Sequence, residues 1–211
     1  MESPQDTSET GWRGSRDGWL EAGYHALIEG GVDAVKIQPL AKRLNLSRTS
    51  FYWFFDDRDA LLGALIDGWD ARTTDPLIRA AQDYAETLAE AMLNVLAAFL
   101  SGSFDAPLEF AVRSWALQDA SVADRVQAAD QARLTTLRNM LTRWGQPAPQ
   151  ADIRARTIYL TQIGYISMRA KEDMPTRLAR IPTYVEIYTG TPPEPREIAR
   201  FMAKVQGGMA G

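Results

Sequence analysis

Arg48, Thr49, Ser50, Tyr52 and Trp53 stand close together in a segment, Ala34 to Phe55 (AVKIQPLAKRLNLSRTSFYWFF), whose only charges are positive. Lys36, Lys42, Arg43 and Arg48 occur there without one Asp or Glu. The chain as a whole carries 27 acidic against 23 basic residues, for a net charge of -4. An arginine fork matches the acceptor pair on a guanine edge, small hydroxyls match base edges or a thymine methyl, and lysines match phosphate oxygens. The pattern points to double-stranded DNA. A sequence pI of about 5.1 does not oppose this, because phosphate binding depends on local neutralisation and counterion release.

Other chemistries find little material. With no cysteine there are no disulfides, thiol nucleophiles or thiolate metal sites. The sole histidine, His25, sits far from any nucleophile motif, and no cluster has metal-ligand spacing. No phosphate-binding glycine loop appears, and the carboxylates form no distinctive catalytic pair. No catalytic residue, metal or cofactor is therefore assigned. An enzyme stays open as an alternative only because carboxylates can converge from distant segments.

Hydrophobic residues make up 45% of the 211 and charged residues 24%, ordinary for a soluble globular protein. MESPQDTSET lacks both hydrophobic periodicity and a signal-peptide core, and no apolar run approaches a membrane span. A cytoplasmic protein without a membrane partner is expected.

The basic segment has to be held by helices. Trp19, Ala22, Tyr24, Ala26, Leu27 and Ile28 recur at spacings of three and four between Ser15 and Glu29, and Gly30-Gly31 forms a stop. A second helix starts near Ile37, where Pro39 is tolerated in the first turn, and buries Leu40, Ala41 and Leu44. Asn45 suits the left-handed backbone of a tight turn, and Ser47 can cap a short helix from Arg48 to about Phe55. Phe51, Phe54 and Phe55 read as core anchors. Asp56 and Asp57 are candidate caps for a longer helix over Arg58 to Thr73. Further helical patterns follow from Leu88, after Pro107, over Val122 to Trp144, over Asp152 to Lys171, and over Arg196 to Val205. No alternating strand pattern is found, so the fold class is all-α.

Leu40-Ala41, Asn45, Tyr52, Phe55, Arg58 and Leu61-Leu62 resemble the helix-turn-helix of the TetR family of bacterial transcriptional regulators. The resemblance covers about residues 11 to 70. Asn45 stands where the family usually has Gly, Thr49 where a small residue is common, and Asp56 where several relatives carry a polar or basic one. The implied organisation is a loose tail (1–10), an N-terminal three-helix helix-turn-helix DNA-binding domain (11–56), a bridging helix (57–74) and a helical ligand-binding and dimerisation domain (75–211).

The resemblance makes Arg48, Thr49 and Ser50 base-reading candidates on the recognition helix. It makes Tyr52 and Arg58 phosphate contacts, and Lys36, Gln38 and Trp53 flanking ones, with Gln38 also able to reach a base. Lys42 and Arg43 fit phosphate contacts and solubilising surface charges equally well. It further implies a homodimer reading a palindromic operator, acting as a repressor released by a small-molecule effector. On the Asp152 to Lys171 helix, Ile153, Thr157, Leu160, Thr161, Gly164 and Met168 form one stripe. Gly164 permits close backbone approach at a cost of about 1 kcal/mol in a helix interior, which places the stripe at the subunit interface; an internal buried helix is the alternative. Tyr84, Phe99, Phe104, Phe110, Trp115, Tyr159 and Tyr165 are candidates to line an effector pocket, against the alternative of plain core. A helical protein-interaction module without sequence-specific DNA binding is the competing function.

Overall fold

The computed structural model describes residues 14–209, and the expected loose tail at 1–10 lies outside them. Among the described residues every regular element is a helix, and no helix is long and apolar enough to cross a membrane. The chain forms two compact units that divide between Leu65 and Ile66.

The amino-terminal unit holds α1 (Arg16–Gly30), a 3-10 turn (Val32–Ala34), α2 (Ile37–Arg43), α3 (Arg48–Phe51) and the first turns of α4 (Arg58–Gln82). Ser15 caps α1 by accepting from the Gly18 amide at 3.0 Å. The helix buries Trp19, Ala22, Ala26 and Leu27. Gly23 lies against Leu61 and Leu65, where an added methyl would come within 3.2 Å of Leu65 Cδ1. The expected extension of α3 to Phe55 is not seen. Beyond Phe51 the backbone tightens into three-residue turns, with the Trp53 and Phe54 amides donating to the Ser50 and Phe51 carbonyls at 3.3 and 3.0 Å.

The larger unit contains the rest of α4, then α5 (Leu88–Leu100), α6 (Ala106–Ala116), α7 (Ala120–Arg143), α8 (Ala148–Ser167), α9 (Met174–Ala179), α10 (Ile181–Thr189) and α11 (Pro195–Met209). Helix α7 packs on α6 and α8, and α5 on α10 and α11. The sequence pattern ends α4 at Thr73, yet the helix runs on through Pro76. Proline offers no N–H to the carbonyl four residues back, which is that of Arg72. The Asp105 amide takes its place at 3.0 Å, so the orphaned acceptor is satisfied and the helix continues.

Helix α8 also departs from the expected Asp152 to Lys171. It starts at Ala148 because Pro149 falls in the first turn, where a missing N–H costs nothing. It stops early because Arg169 adopts φ +48, and the Ala170 and Arg169 amides close back onto Tyr165 and Ile166, a Schellman ending.

Beside its apolar core this unit buries a cluster of charges. Arg133 has no exposed side-chain surface, and neither does its partner Glu109. Its guanidinium donates to Glu109 Oε1 at 2.8 Å, to the Tyr159 hydroxyl at 2.9 Å, and to Thr73 and Thr74 at 2.8 and 3.0 Å. The Trp69 ring lies 4.9 Å from the guanidinium carbon, and the Phe104 ring 5.5 Å from it. Trp69 Nε1 and Arg113 Nε complete the donors to Glu109, each at 2.8 Å. Asp130 accepts from Arg113 and from the Tyr159 hydroxyl. Burial pushes the Tyr159 phenol above its usual range. Burial also works against the Arg133 charge, but Glu109 outweighs it and holds that group protonated.

Removing one member of such a buried pair strands the other. Arg133→Met should therefore lower the unfolding free energy by about 3–5 kcal/mol, seen as a fall in the urea midpoint. The double variant with Glu109→Gln should recover part of the loss. An unchanged midpoint in the single variant would show that the cluster does not hold the unit together.

Candidate nucleic-acid interface

The candidate surface is built on α2 and α3. Phe51, the last residue of α3, is fully buried, edge-on to Trp19 at 5.2 Å between ring centroids and stacked on Phe55 at 5.5 Å. Leu40 and Ala41 of α2 are buried with it. The turn between the two helices has the left-handed residue that the sequence implies, with Asn45 at φ +54. The Leu46 amide donates to Ala41 at 2.9 Å and the Asn45 amide to Lys42 at 3.2 Å, again a Schellman ending. Ser47 caps α3 through the Ser50 amide at 3.3 Å.

The predicted contact residues divide into two groups. Lys36, Gln38, Arg48, Thr49, Tyr52 and Trp53 are exposed, with Trp53 at 64%. Arg48 donates from Nη2 to the Tyr52 hydroxyl at 3.1 Å. Ser50 and Arg58 are instead used inside the unit. Ser50 is buried, and its hydroxyl lies 3.0 Å from that of Ser47, so it braces the cap. Arg58 donates from Nε to the Val35 carbonyl at 2.6 Å and from Nη2 to the Val32 carbonyl at 2.7 Å. It ties the start of α4 to the 3-10 turn, a role that sequence spacing did not suggest.

Arg43 is also occupied. It forms a bidentate pair with Glu29 of α1 at 2.8 and 2.9 Å. The hydrogen bond from Arg43 holds the Glu29 carboxyl below its usual range. Lys36, Lys42 and Arg48 have no carboxylate partner among the described residues. Of the two candidate caps for α4, Asp57 serves, accepting from the Ala60 amide at 2.8 Å, while Asp56 is exposed.

Residues 20–65 match the family model of bacterial regulatory proteins of the tetR family. These residues therefore carry a TetR-type DNA-binding domain. No curated protein matches its sequence. Among solved structures it is similar to a transcriptional regulator of the TerR/AcrR family from Aquifex aeolicus VF5, at 16% identity over 84% of this chain and 96% of that one, with a TM-score of 0.59. A transcriptional regulator from Rhodococcus sp. Rha1 aligns at 20% identity over 92% and 97% of the two chains, with a TM-score of 0.56. GusR of Salmonella enterica aligns at 13% identity over 93% and 95%, with a TM-score of 0.57. At these identities the likeness shows the fold, an all-helical one with the TetR-family helix-turn-helix first.

The aromatic residues proposed for an effector pocket do not converge. Phe104 and Tyr159 are buried around Arg133, and Phe99 lies 4.7 Å from Phe104. Trp115 is buried, Phe110 lies under Arg169, and Tyr165 lies under Arg177. Tyr84 is 80% exposed, at the rim of a separate open hollow of about 330 Å³ walled by α5 and α11. The Arg133 cluster is the feature that sequence reading missed. Its signal was an arginine standing on the buried stripe of α7 among Val126, Ala129, Leu137 and Met140.

The left-handed turn gives a direct check on the TetR-family domain. Asn45→Val puts a β-branched residue at φ +54 and should cost about 1–2 kcal/mol, whereas Asn45→Gly should be neutral or stabilising. Equal thermal midpoints for the Val and Gly variants would contradict the strain assigned to this turn.

Proposed function

We propose that the chain is a homodimeric DNA-binding repressor that reads a palindromic operator and is released by a small-molecule effector in the cytoplasm. The observation that carries the DNA reading is the exposed set Arg48, Thr49, Tyr52 and Trp53. It lies on a TetR-type helix-turn-helix in which Ser50, Arg43 and Arg58 are engaged by the unit itself. Arg48 and Thr49 are the base readers, with Arg48 worth about 1–3 kcal/mol of discrimination if it meets a guanine with two hydrogen bonds. Lys36, Lys42, Tyr52 and Trp53 set register on the backbone, and Gln38 flanks them. Because the family comprises regulatory proteins, a regulator is favoured over an enzyme.

One recognition helix covers few base pairs, so two-fold pairing supplies the rest of the specificity. Support for the pairing surface comes from α8, where Ile153 and Leu160 are 63% and 62% exposed, and from Met168 at its cap, 82% exposed. Thr157 and Thr161 return their hydroxyls to the Ile153 and Thr157 carbonyls at 2.9 and 2.7 Å, which withdraws polarity from the stripe. Ile187 of the adjacent α10 is likewise 63% exposed. A methyl added at Gly164 meets nothing within 4 Å in the subunit. Gly164→Leu should therefore fold normally yet fail to dimerise, with the mass in light scattering falling towards 23.5 kDa. A dimer that persists would remove this face from the interface.

Selection from a random duplex pool at roughly 0.15 M salt, which suppresses nonspecific phosphate binding, should enrich a palindrome. Arg48→Ala should lose preference at one base pair per half-site while remaining dimeric. No enrichment by folded, dimeric protein would favour the protein-interaction reading.

A further inference from the structure

Arg177 is a half-buried cation without an ion-pair partner. Among the described residues no carboxylate comes within pairing distance of its guanidinium. Its one hydrogen bond to protein is a long one, from Nη2 to Gln162 Oε1 at 3.4 Å. Its guanidinium carbon lies over the Tyr165 ring, 4.4 Å from the ring centroid. Burial lowers its pKa from the usual arginine value. A charge removed from water in this way is costly unless something answers it, and the Arg133 cluster shows how fully this chain does so elsewhere.

Several phenols near Arg177 have a proton to donate. The Tyr165 and Tyr184 hydroxyls lie 3.1 Å apart, and one donating to the other leaves a phenolic proton over. The Tyr188 hydroxyl is buried beside Thr161 and Gln162, and nothing meets it in hydrogen-bonding geometry. Its side chain is only 2% exposed. The hydrogen bond with Tyr165, and then burial, push the Tyr184 phenol up to about 12, and burial raises that of Tyr188. Both stay protonated at neutral pH and can each donate a hydrogen bond. Glu172 is the carboxylate that acts on Arg177 through space; it is bonded to Arg180 and keeps its Oε2 buried without a hydrogen bond, while Asp173 is exposed and caps α9 through the Thr176 amide. Within this group, Arg177 and Arg180 against Glu172 leave one positive charge.

We propose that the junction of α8, α9 and α10 binds the carboxylate of a small organic monoanion, with Arg177 as its counter-ion and Tyr184 and Tyr188 as hydrogen-bond donors. A monoanion matches the single unbalanced charge, and a carboxylate can accept from the guanidinium and from the phenols. Met174 and Leu178, which flank Arg177 on α9, are half-buried against the apolar core, so an apolar body is favoured over a second charged end. As an effector site this rests on the regulator reading, but as an anion site it stands without it.

The test is calorimetric titration of the full chain with benzoate and octanoate, using benzamide as the uncharged control and inorganic phosphate as the alternative anion. Benzoate or octanoate should bind and benzamide should not. Arg177→Gln should weaken carboxylate binding about tenfold or more, Tyr184→Phe should weaken it less, and Arg177→Lys should restore part of it. Circular dichroism and the thermal midpoint report whether each variant is folded.

Phosphate bound in preference to both carboxylates would overturn the assignment, as would carboxylate binding unchanged by Arg177→Gln. If wild type binds no anion and Arg177→Gln turns a dimer into a monomer, Arg177 pairs with a carboxylate of a second copy and the proposal fails. None of these readings uses DNA. A failed operator selection beside successful carboxylate binding would therefore sink the regulator reading alone.

Discussion

The amino-terminal unit depends on the burial of Phe51. A helix of four residues cannot sustain itself, since fixing its first turn already costs more than its hydrogen bonds return. Helix α3 persists because the Phe51 ring is enclosed by Trp19 and Phe55, and because the chain enters through a capped left-handed turn at Asn45. With that ring inside, Thr49, Tyr52 and Trp53 are turned outward. The chemistry offered on this surface is thus set by an aromatic side chain buried beneath it. Arg58 serves the same end by holding the 3-10 turn through two backbone carbonyls.

In the larger unit the comparable constraint is electrostatic. Arg133 and Glu109 are stable inside because every acceptor of Glu109 is filled and the arginine lies between two aromatic faces. A buried pair of this kind adds little net stability over hydrocarbon, but it tolerates few alternative arrangements. It joins α4, α6, α7 and α8 through Thr73, Glu109, Arg133 and Tyr159. The unit thereby has one preferred register for four helices.

Much of the fold was legible because it is written in local signals. The periodicity of α1, the cap at Ser47 and the left-handed Asn45 each follow from one or two residues and their neighbours. Element ends were less legible wherever a distant group decided them. Helix α4 passes Pro76 only because the Asp105 amide answers Arg72, and no local pattern carries that information. The same limit applied to the site. Arg48 and Thr49 could be proposed from their position alone, whereas Ser50 and Arg58 looked equally suitable until their internal partners were seen. Glu29 and Arg43 lie on different helices, so their pairing was invisible to a segment that counted only its own charges.

Those internal uses sharpen what kind of DNA reader this acidic chain can be. Of the basic residues between Ala34 and Arg58, Arg43 is neutralised by Glu29 and Arg58 is committed to the backbone, which leaves Lys36, Lys42 and Arg48. So few free cations supply little sequence-independent attraction, since that term grows with the number of phosphates neutralised. In the proposed reader, affinity would then come from correct placement of Arg48, Thr49 and the two exposed aromatics, and from doubling the contact by symmetry. A surface of this kind loses most of its binding when register is lost. In that proposal, weak local charge, a pinned α3 and dimerisation become one physical requirement.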